Sequence, residues 1–264
     1  MNFTSNFKMQ AVLFLLFCTF TLALQAAPKP LLERVEPSFW WVGFKNPNLQ
    51  LLVHGDQISI TKPVISYPGV VLESVISVEN PNYLFLNLKL AENTLPGKFP
   101  IQFMSGGKVV QSFTYELKER APGSANRTGF NSSDVLYLIM PDRFANGDPS
   151  NDSKPEMADK LNEADQYGRH GGDIKGMLDH LDYVADQGYS ALWLNPVLEN
   201  DMPEASYHGY ATTDFYRVDR RYGSNEDYRQ LGIEAQKKGV KMIMDMIFNH
   251  CGTGHWWMKD LPSK

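Results

Sequence analysis

The sequence has little cysteine, no strong excess of either charge and no apolar run long enough to cross a membrane. Its two cysteines are Cys18 and Cys251, and the first lies in an apolar N-terminal segment. If that segment is cleaved, Cys251 stands alone and no internal disulfide forms. The net charge of -5 gives no basic footprint for nucleic acid. A disulfide scaffold and a nucleic-acid-binding protein are therefore excluded as leading classes.

Residues 1–27 have the features of a secretory signal peptide. Lys8 gives a positive start, residues 11–24 are apolar, and Leu24–Ala27 offers small residues for cleavage. The apolar run is short for a membrane span, and Pro28 follows it. We expect a cleaved signal and no membrane span after cleavage. Export without disulfides favours the bacterial periplasm, with an extracellular location as the alternative.

Residues 30–118 predict an antiparallel β-sandwich. No stretch here keeps a helical period over two turns, and turns rich in proline and asparagine recur. Between the turns lie four short apolar segments of the kind that form strands, residues 49–55, 70–78, 83–90 and 109–117. Two packed antiparallel sheets account for this pattern.

Residues 119–133 are rich in Ser, Gly, Asn and Pro and predict a linker. Beyond it, in residues 134–264, strand and helix patterns alternate, which predicts a parallel α/β sheet. Strands are expected at 135–141, 189–196 and 241–244, and helices at 174–184 and 225–238, the second capped by Ser224 with Asp227. Three parallel strands leave one edge unpaired and one apolar face uncovered.

Polar and aromatic side chains mark a candidate site around these strands. Lys241–Met244 is typical of a strand buried on both faces, and Asp245 and His250 follow at its carboxyl end. In α/β barrels that end carries the active site. Tyr210 is a candidate platform for a sugar ring, although a loop tyrosine is more often structural. Phe39–Trp41 is either core or a second sugar platform, and the core interpretation is favoured.

Hard oxygen donors crowd the loop after the first strand of this region. Asn146, Asp148, Asn151 and Asp152 fall within seven residues. Calcium takes six to eight oxygen ligands at flexible geometry, so this density suits calcium better than magnesium or zinc. The alternative is an Asx-rich turn that bonds its own backbone, and spacing alone favours it. Asp173, at the entry to the first helix, is a helix cap by default.

Four motifs in this order resemble the α-amylase family of glycoside hydrolases: FANGDPSND, GGDIKG, HGYATTDFYRVDRRYG and DMIFNH. The chain is most similar to the branch of neopullulanases, cyclomaltodextrinases and maltogenic amylases. RVEPSFWWVGFKNPNLQLLVHG resembles the start of the N-terminal sandwich in exported neopullulanase-like enzymes of the Bacteroides starch-utilisation type. The resemblance implies a multidomain fold, a β-sandwich followed by about three βα units of a (β/α)8 TIM barrel.

The resemblance also implies roles for individual residues. Tyr210 would stack on the sugar at the cleavage point, Asp245 would support the nucleophile side of the site, and His250 would donate to sugar hydroxyls. The implied cofactor is calcium, with six ligands: Asn146, Asp148, Asn151, Asp152, Gly171 through its carbonyl, and Asp173. The implied partners are α-glucan oligosaccharides such as those of starch, pullulan and cyclodextrin, with a homodimer left open for the full-length enzyme.

No catalytic carboxylate is expected in this chain. In the family, the nucleophilic Asp, the acid/base Glu and a further Asp follow the fourth, fifth and seventh strands, beyond Lys264. We therefore expect the N-terminal part of an exported α-glucan hydrolase, inactive alone, whose full enzyme cleaves α-1,4 bonds with retention and leaves α-1,6 cleavage open. A transferase or plain α-amylase is an alternative within the enzyme class. A non-catalytic starch- or maltooligosaccharide-binding protein is the alternative from another class.

Overall fold

The computed structural model describes residues 32–263, so the predicted signal peptide at residues 1–27 lies outside the described residues. The described chain divides into two compact units. One runs up to Arg120 and includes Pro262 and Ser263, and the other runs from Ala121 to Leu261. Among residues 32–263, none of the helices combines the length and apolar character that crossing a bilayer requires.

The first unit is a sandwich of two four-stranded sheets, as predicted. In chain order its strands are β1 (Arg34–Glu36), β2 (Phe39–Trp41), β3 (Asn48–His54), β4 (Lys62–Ile65), β5 (Val70–Ser77), β6 (Tyr83–Leu90), β7 (Gly97–Ser105) and β8 (Lys108–Lys118). One sheet has the order β1-β3-β6-β5 and the other the order β2-β8-β7-β4. All neighbours pair antiparallel except β2 and β8, which pair parallel.

The core of the sandwich comes from the period-two alternation of its strands. Leu84, Leu86 and Leu88 of β6 are at most 1% exposed and share one cluster with Ile101 and Phe103 of β7. Successive side chains of a strand point to opposite faces, so alternate apolar residues fill the space between the sheets. Burying each such side chain contributes roughly 1.5–3 kcal/mol.

The sequence patterns predicted β3, β5, β6 and β8 but missed the other four strands. Proline explains two of the omissions. Pro63 lies in β4 and Pro100 in β7, and proline normally argues against a strand because it cannot donate to the sheet ladder. The omitted β1 and β2 are three residues each, too short for an alternating pattern to be recognised.

The second unit contains the predicted parallel sheet, in the order β13-β10-β9. Its elements are β9 (Leu136–Ile139), α1 (Pro141–Phe144), α2 (Ile174–Asp179), α3 (Leu181–Asp186), β10 (Ala191–Leu194), β11 (Leu198–Glu199), β12 (Asp214–Val218), α4 (Asn225–Lys237) and β13 (Lys241–Met244). The capping box of α4 is confirmed, since Ser224 accepts from the Asp227 N–H and Asp227 accepts from the Ser224 N–H.

The predicted single helix at 174–184 is wrong: α2 and α3 are separate and meet at His180. His180 Nδ1 lies 2.8 Å from the carbonyl oxygen of Gly176. That oxygen is the acceptor that the His180 backbone N–H would use in a continuous helix. The backbone N–H bonds instead to the carbonyl of Met177 at 3.2 Å, so the helix breaks there.

The prediction that Lys241–Met244 is buried on both faces is also wrong, since its residues are half-buried or exposed. In the described part of the chain, helices cover only one face of the sheet, where Leu192 and Leu194 of β10 are buried. On the other face Trp193 is 39% exposed and its neighbour Leu138 57% exposed. Within the described residues β13 pairs only with β10, so the sheet has the open edge and uncovered face expected of three strands.

Candidate functional site

Tyr210, Asp245 and His250 meet at the carboxyl end of the parallel sheet. The Tyr210 hydroxyl donates to Asp245 Oδ2 at 3.1 Å, and His250 Nε2 lies 3.0 Å from the backbone oxygen of Tyr210. Trp193 of β10 donates its indole N–H to the same Asp245 oxygen at 3.3 Å. The three residues selected from the sequence are therefore one hydrogen-bonded cluster, although 40 positions separate Tyr210 from His250.

The cluster keeps two acceptor atoms available. A carbonyl oxygen only accepts, so the neutral His250 ring carries its hydrogen on Nε2 and presents Nδ1 as an acceptor. Asp245 uses Oδ2 for both of its bonds, and within residues 32–263 its Oδ1 atom has no hydrogen-bond partner. The expected donation from His250 to a sugar hydroxyl therefore requires the protonated ring. Tyr210 as a whole residue is 39% exposed beside these atoms.

Electrostatics keep Tyr210 a donor. Burial raises the pKa of its hydroxyl, and the hydrogen bond to Asp245 and the Asp245 charge raise it further. Its backbone N–H donates to His208 Nδ1 at 2.9 Å. Burial lowers the pKa of His208, which keeps that ring neutral and able to accept. Both protonation states needed for this arrangement are therefore the favoured ones at neutral pH.

The backbone before Tyr210 is tightly constrained. A short 3-10 helix, Ser206–His208, ends at Gly209, which has a φ of 82°. A Cβ atom at Gly209 would lie 2.1 Å from the carbonyl oxygen of Pro196, at the end of the second strand segment. Only glycine combines this left-handed backbone with so close an approach. Steric contacts therefore fix the backbone conformation that leads into Tyr210.

A buried ion pair anchors the same segment. Arg221 is fully buried and donates to Asp219 through Nε at 2.9 Å and Nη2 at 2.7 Å, and to the Asn200 carbonyl at 2.8 Å. Asn200 Nδ2 donates in turn to the Ser206 carbonyl at 3.1 Å. Burial alone would raise the pKa of Asp219, but hydrogen bonds from Arg221 and the charges of Arg169 and Arg221 outweigh it and hold that pKa below its usual range.

Asp173 is the centre of the oxygen-rich loop. It is fully buried, and its two carboxylate oxygens accept four hydrogen bonds of 2.6–3.0 Å, from the backbone N–H groups of Gly147, Asp148 and Gly176 and from the Asn151 side chain. The bond from Gly176 is the predicted cap of α2. The other three bonds tie the loop to the helix, so Asp173 does more than cap.

The predicted calcium ligands around Asp152 are close together. Asn146 Nδ2 donates to Asp152 Oδ1 at 2.8 Å, and a Cβ atom on Gly171 would lie 2.7–2.8 Å from both of these side chains. Among residues 32–263, the buried Asn151 Oδ1 atom has no hydrogen-bond partner. Burial raises the pKa of Asp152 and outweighs the hydrogen bond from Asn146, which lowers it. The negative charge of Asp173 raises this pKa further. A hard cation would satisfy the unpaired oxygen and offset the crowded negative charge.

Asp148 departs from the predicted set. Its Oδ1 accepts from the backbone N–H and hydroxyl of Ser150, at 3.0 and 2.6 Å, and these bonds lower its pKa. This is the Asx turn of the alternative interpretation. Across residues 32–263, no group of three or more His, Cys, Asp or Glu side chains is arranged to hold a metal. The reason is local, because Asp148 turns to Ser150 and the remaining predicted ligands include two asparagines and a glycine carbonyl.

Comparison with protein-family models shows which domain contains these two clusters. The family model described as "Alpha amylase, catalytic domain" matches residues 138–264, and the model described as "Cyclomaltodextrinase, N-terminal" matches residues 34–121. Residues 138–264 are the start of an α-amylase catalytic domain. The sandwich before it is a cyclomaltodextrinase N-terminal domain. Both candidate clusters lie in the α-amylase part of the chain.

Two curated relatives and one solved structure are similar to about half of this chain. Neopullulanase 2 of Thermoactinomyces vulgaris is 37% identical over 133 residues, which is 49% of this chain and 22% of the relative. Cyclomaltodextrinase of Thermoanaerobacter pseudethanolicus is 38% identical over 130 residues, 48% of this chain and 21% of the relative. A solved Anoxybacillus α-amylase is 39% identical, with a TM-score of 0.44 over 48% of this chain and 26% of that chain. The chain spans about a fifth of the length of these two curated relatives.

Sequence reasoning missed two residues of the candidate site, Trp193 and His208. Trp193 follows the buried Leu192 in β10, so strand alternation directs it to the opposite face from the helix-covered core. That alternation was a usable signal. The contact between His208 and the Tyr210 N–H depends on the turn at Gly209, for which the sequence offered no spacing rule.

Proposed function

We propose that this chain contributes the sugar-binding wall of an exported α-glucan hydrolase. The full enzyme would cleave α-1,4 bonds with retention of configuration, and α-1,6 cleavage is left open. The observation that carries the proposal is the cluster of Tyr210, Asp245 and His250 at the carboxyl end of the sheet. The named relatives, a neopullulanase and a cyclomaltodextrinase, support the substrate class. Export to the periplasm is part of the proposal.

The available atoms suit a sugar. The exposed Tyr210 ring offers an apolar face, on which the C–H groups of a glucose ring stack. Asp245 Oδ1 and His250 Nδ1 accept from adjacent sugar hydroxyls, and the ionised Asp245 makes the stronger, charge-assisted bond. Retaining hydrolysis needs two carboxylates about 5–5.5 Å apart. The hydrogen-bonded cluster holds one, so we propose that the chain alone binds α-glucan without cleaving it.

Maltotriose binding to the full chain, measured by isothermal titration calorimetry, tests this proposal. We expect Asp245→Asn to weaken binding at least about tenfold, because a hydrogen bond to a charged group contributes about 1.5–3 kcal/mol. Tyr210→Ala should weaken binding at least about tenfold as well, because it removes the stacking ring and the hydroxyl that donates to Asp245. Tyr167→Ala is the matched control, since Tyr167 is a 61% exposed loop tyrosine that takes no part in the hydrogen bonds of the cluster, and it should bind as the parent does.

Failure of the parent chain to bind maltotriose would contradict the sugar-binding proposal. Reducing-sugar release from pullulan and cyclodextrin is assayed in parallel. Measurable turnover by the chain alone would overturn the proposal that it binds without cleaving.

A glucan-binding module is the second candidate function, and one observation favours it. A cleft of about 550 Å³ in the sandwich is lined by Trp40, Trp41 and Phe44 together with Lys45 and Glu92. Its size is that of a small-molecule site, and its mixture of rings and polar groups suits a sugar. Maltotriose binding that survives Tyr210→Ala but is lost in Trp41→Ala would favour this function over the first.

We propose calcium as the cofactor of the oxygen-rich loop. The residues that would hold it are Asn146, Asn151, Asp152, Asp173 and the carbonyl of Gly171. The unpaired Asn151 oxygen and the raised pKa of Asp152 support this set. When bound, calcium would supply positive charge that holds the loop to α2. Asp148 would join only if its carboxylate left Ser150.

Calcium is expected to stabilise the chain against thermal unfolding. A ligand at 100 times its Kd adds about 2.7 kcal/mol to the free energy of unfolding. Gly171→Ala should abolish this gain, because the new Cβ would collide with Asn146 and Asp152. Gly188→Ala is the control, since Gly188 has a matching φ of 83° with no atom within 4 Å of its Cβ position.

The gain is measured by calorimetric melting with and without calcium, and the affinity by titration calorimetry. The calcium proposal fails if Gly171→Ala responds to calcium as Gly188→Ala does. An equal response of the parent chain to magnesium would likewise exclude a calcium-selective site.

A further inference from the structure

We propose that Trp193 is a positioning residue for Asp245, and that its indole N–H aims the free carboxylate oxygen at the ligand. The inference rests on the proposed sugar-binding role of Asp245 and adds a residue to it. Trp193 touches no sugar in this proposal, because it acts through the carboxylate.

The position of Trp193 follows from the sheet. It pairs in register with Ile243 of the neighbouring strand β13, and Asp245 lies two residues further along that chain. Residues two apart in an extended chain point to the same side, which brings the indole under the Asp245 carboxylate. The result is the contact of 3.3 Å between Trp193 Nε1 and Asp245 Oδ2.

Two donors share one oxygen of Asp245. The Tyr210 hydroxyl and the Trp193 indole both donate to Oδ2, and Oδ1 has no partner within residues 32–263. An indole N–H only donates, so it cannot reverse its role as a hydroxyl can. With both bonds made, the carboxylate is held against rotation and Oδ1 points away from the protein donors.

The two donors lie on different kinds of structural element, a loop and a strand. Tyr210 lies on a loop and is itself a proposed sugar contact, so a ligand can move it. Trp193 lies on β10, between two paired strands, and sites built on strands hold their geometry better than sites on loops. Trp193 therefore fixes Asp245 whether or not a ligand displaces the tyrosine. A phenylalanine would fill the same face but could not donate.

Indole ¹⁵N–¹H spectra of the full chain test the contact without any sugar. The five tryptophans give five indole signals, and Trp193→Phe identifies the one from Trp193. In Asp245→Ala this signal should shift more than the other four, because it loses its charged acceptor. A Trp193 signal that stays in place in Asp245→Ala overturns the proposal, since a residue that only fills space would behave this way.

Titration with maltotriose tests the consequence. Trp193→Phe should weaken binding about fivefold to tenfold while Tyr210 is intact, and Trp256→Phe, the matched control in the same unit, should bind as the parent does. Parent-like binding by Trp193→Phe overturns the proposal and leaves the proposed function standing. If the parent itself does not bind, the proposed function fails, and the indole signals still decide whether Trp193 holds Asp245.

Discussion

Asp173→Ala is expected to lower the free energy of unfolding by about 4 kcal/mol. The substitution removes the acceptor of four N–H groups, of which those of Gly176 and Asn151 are buried. Each buried donor left without an acceptor costs about 1–3 kcal/mol. The loss should be large even without calcium, because the carboxylate joins the loop to α2 through protein hydrogen bonds.

Urea unfolding followed by circular dichroism measures this effect in the presence of a calcium chelator. Asp179→Ala is the matched control, an aspartate of the same helix whose carboxylate pairs with Lys175 at the surface. Exposed pairs of this kind contribute at most about 1 kcal/mol. If the two variants unfold at the same urea concentration, Asp173 does not have the central structural role assigned to it.

Breaking the pair of Asp219 and Arg221 should lower the free energy of unfolding by about 3–5 kcal/mol, because it leaves the buried Asp219 carboxylate without its paired guanidinium. Arg221→Met is the informative variant, since it keeps the apolar volume and removes the guanidinium donors to Asp219 and to the Asn200 carbonyl. We expect weaker maltotriose binding as well, because the Asn200 contact to Ser206 supports the segment that leads into Tyr210.

The same pair predicts a dependence of stability on pH. The folded pKa of Asp219 lies below its unfolded value of about 3.9. Its contribution is therefore fully present above about pH 5 and is lost as the pH falls through the folded pKa. Urea midpoints from pH 7 to pH 3 should fall in the parent below about pH 4 and fall less in Asp219→Asn. Parallel pH curves for the two proteins would contradict this assignment.

Local patterns predicted those parts of the fold that local forces determine. The alternation in β6 and the capping box at Ser224 and Asp227 are properties of a few neighbouring residues, and both were predicted and found. The break at His180 was not predicted, because it depends on a side chain competing for the Gly176 carbonyl. Hydrophobic spacing contains no information about such a competition.

The site shows the same division. That Asp245 and Tyr210 lie near each other could be anticipated, because the carboxyl ends of parallel strands meet at one edge of a sheet. Which atoms remain available could not, since this depends on the indole of Trp193 and the tautomer of His250. The metal loop was predicted as a set of oxygens, and the turn of Asp148 toward Ser150 is a detail of side-chain rotation.

The close approach of Gly209 to Pro196 has a consequence for engineering sugar specificity. A mutational library around Tyr210 should leave position 209 unchanged. Any other residue there would place a Cβ atom against the Pro196 carbonyl oxygen, so most of those variants would not keep this backbone conformation. Variation at Tyr210 itself changes the ring that meets the ligand and leaves the path of the main chain intact. Gly209 is therefore a position that must be kept, and Tyr210, the next residue, is a position that can be varied.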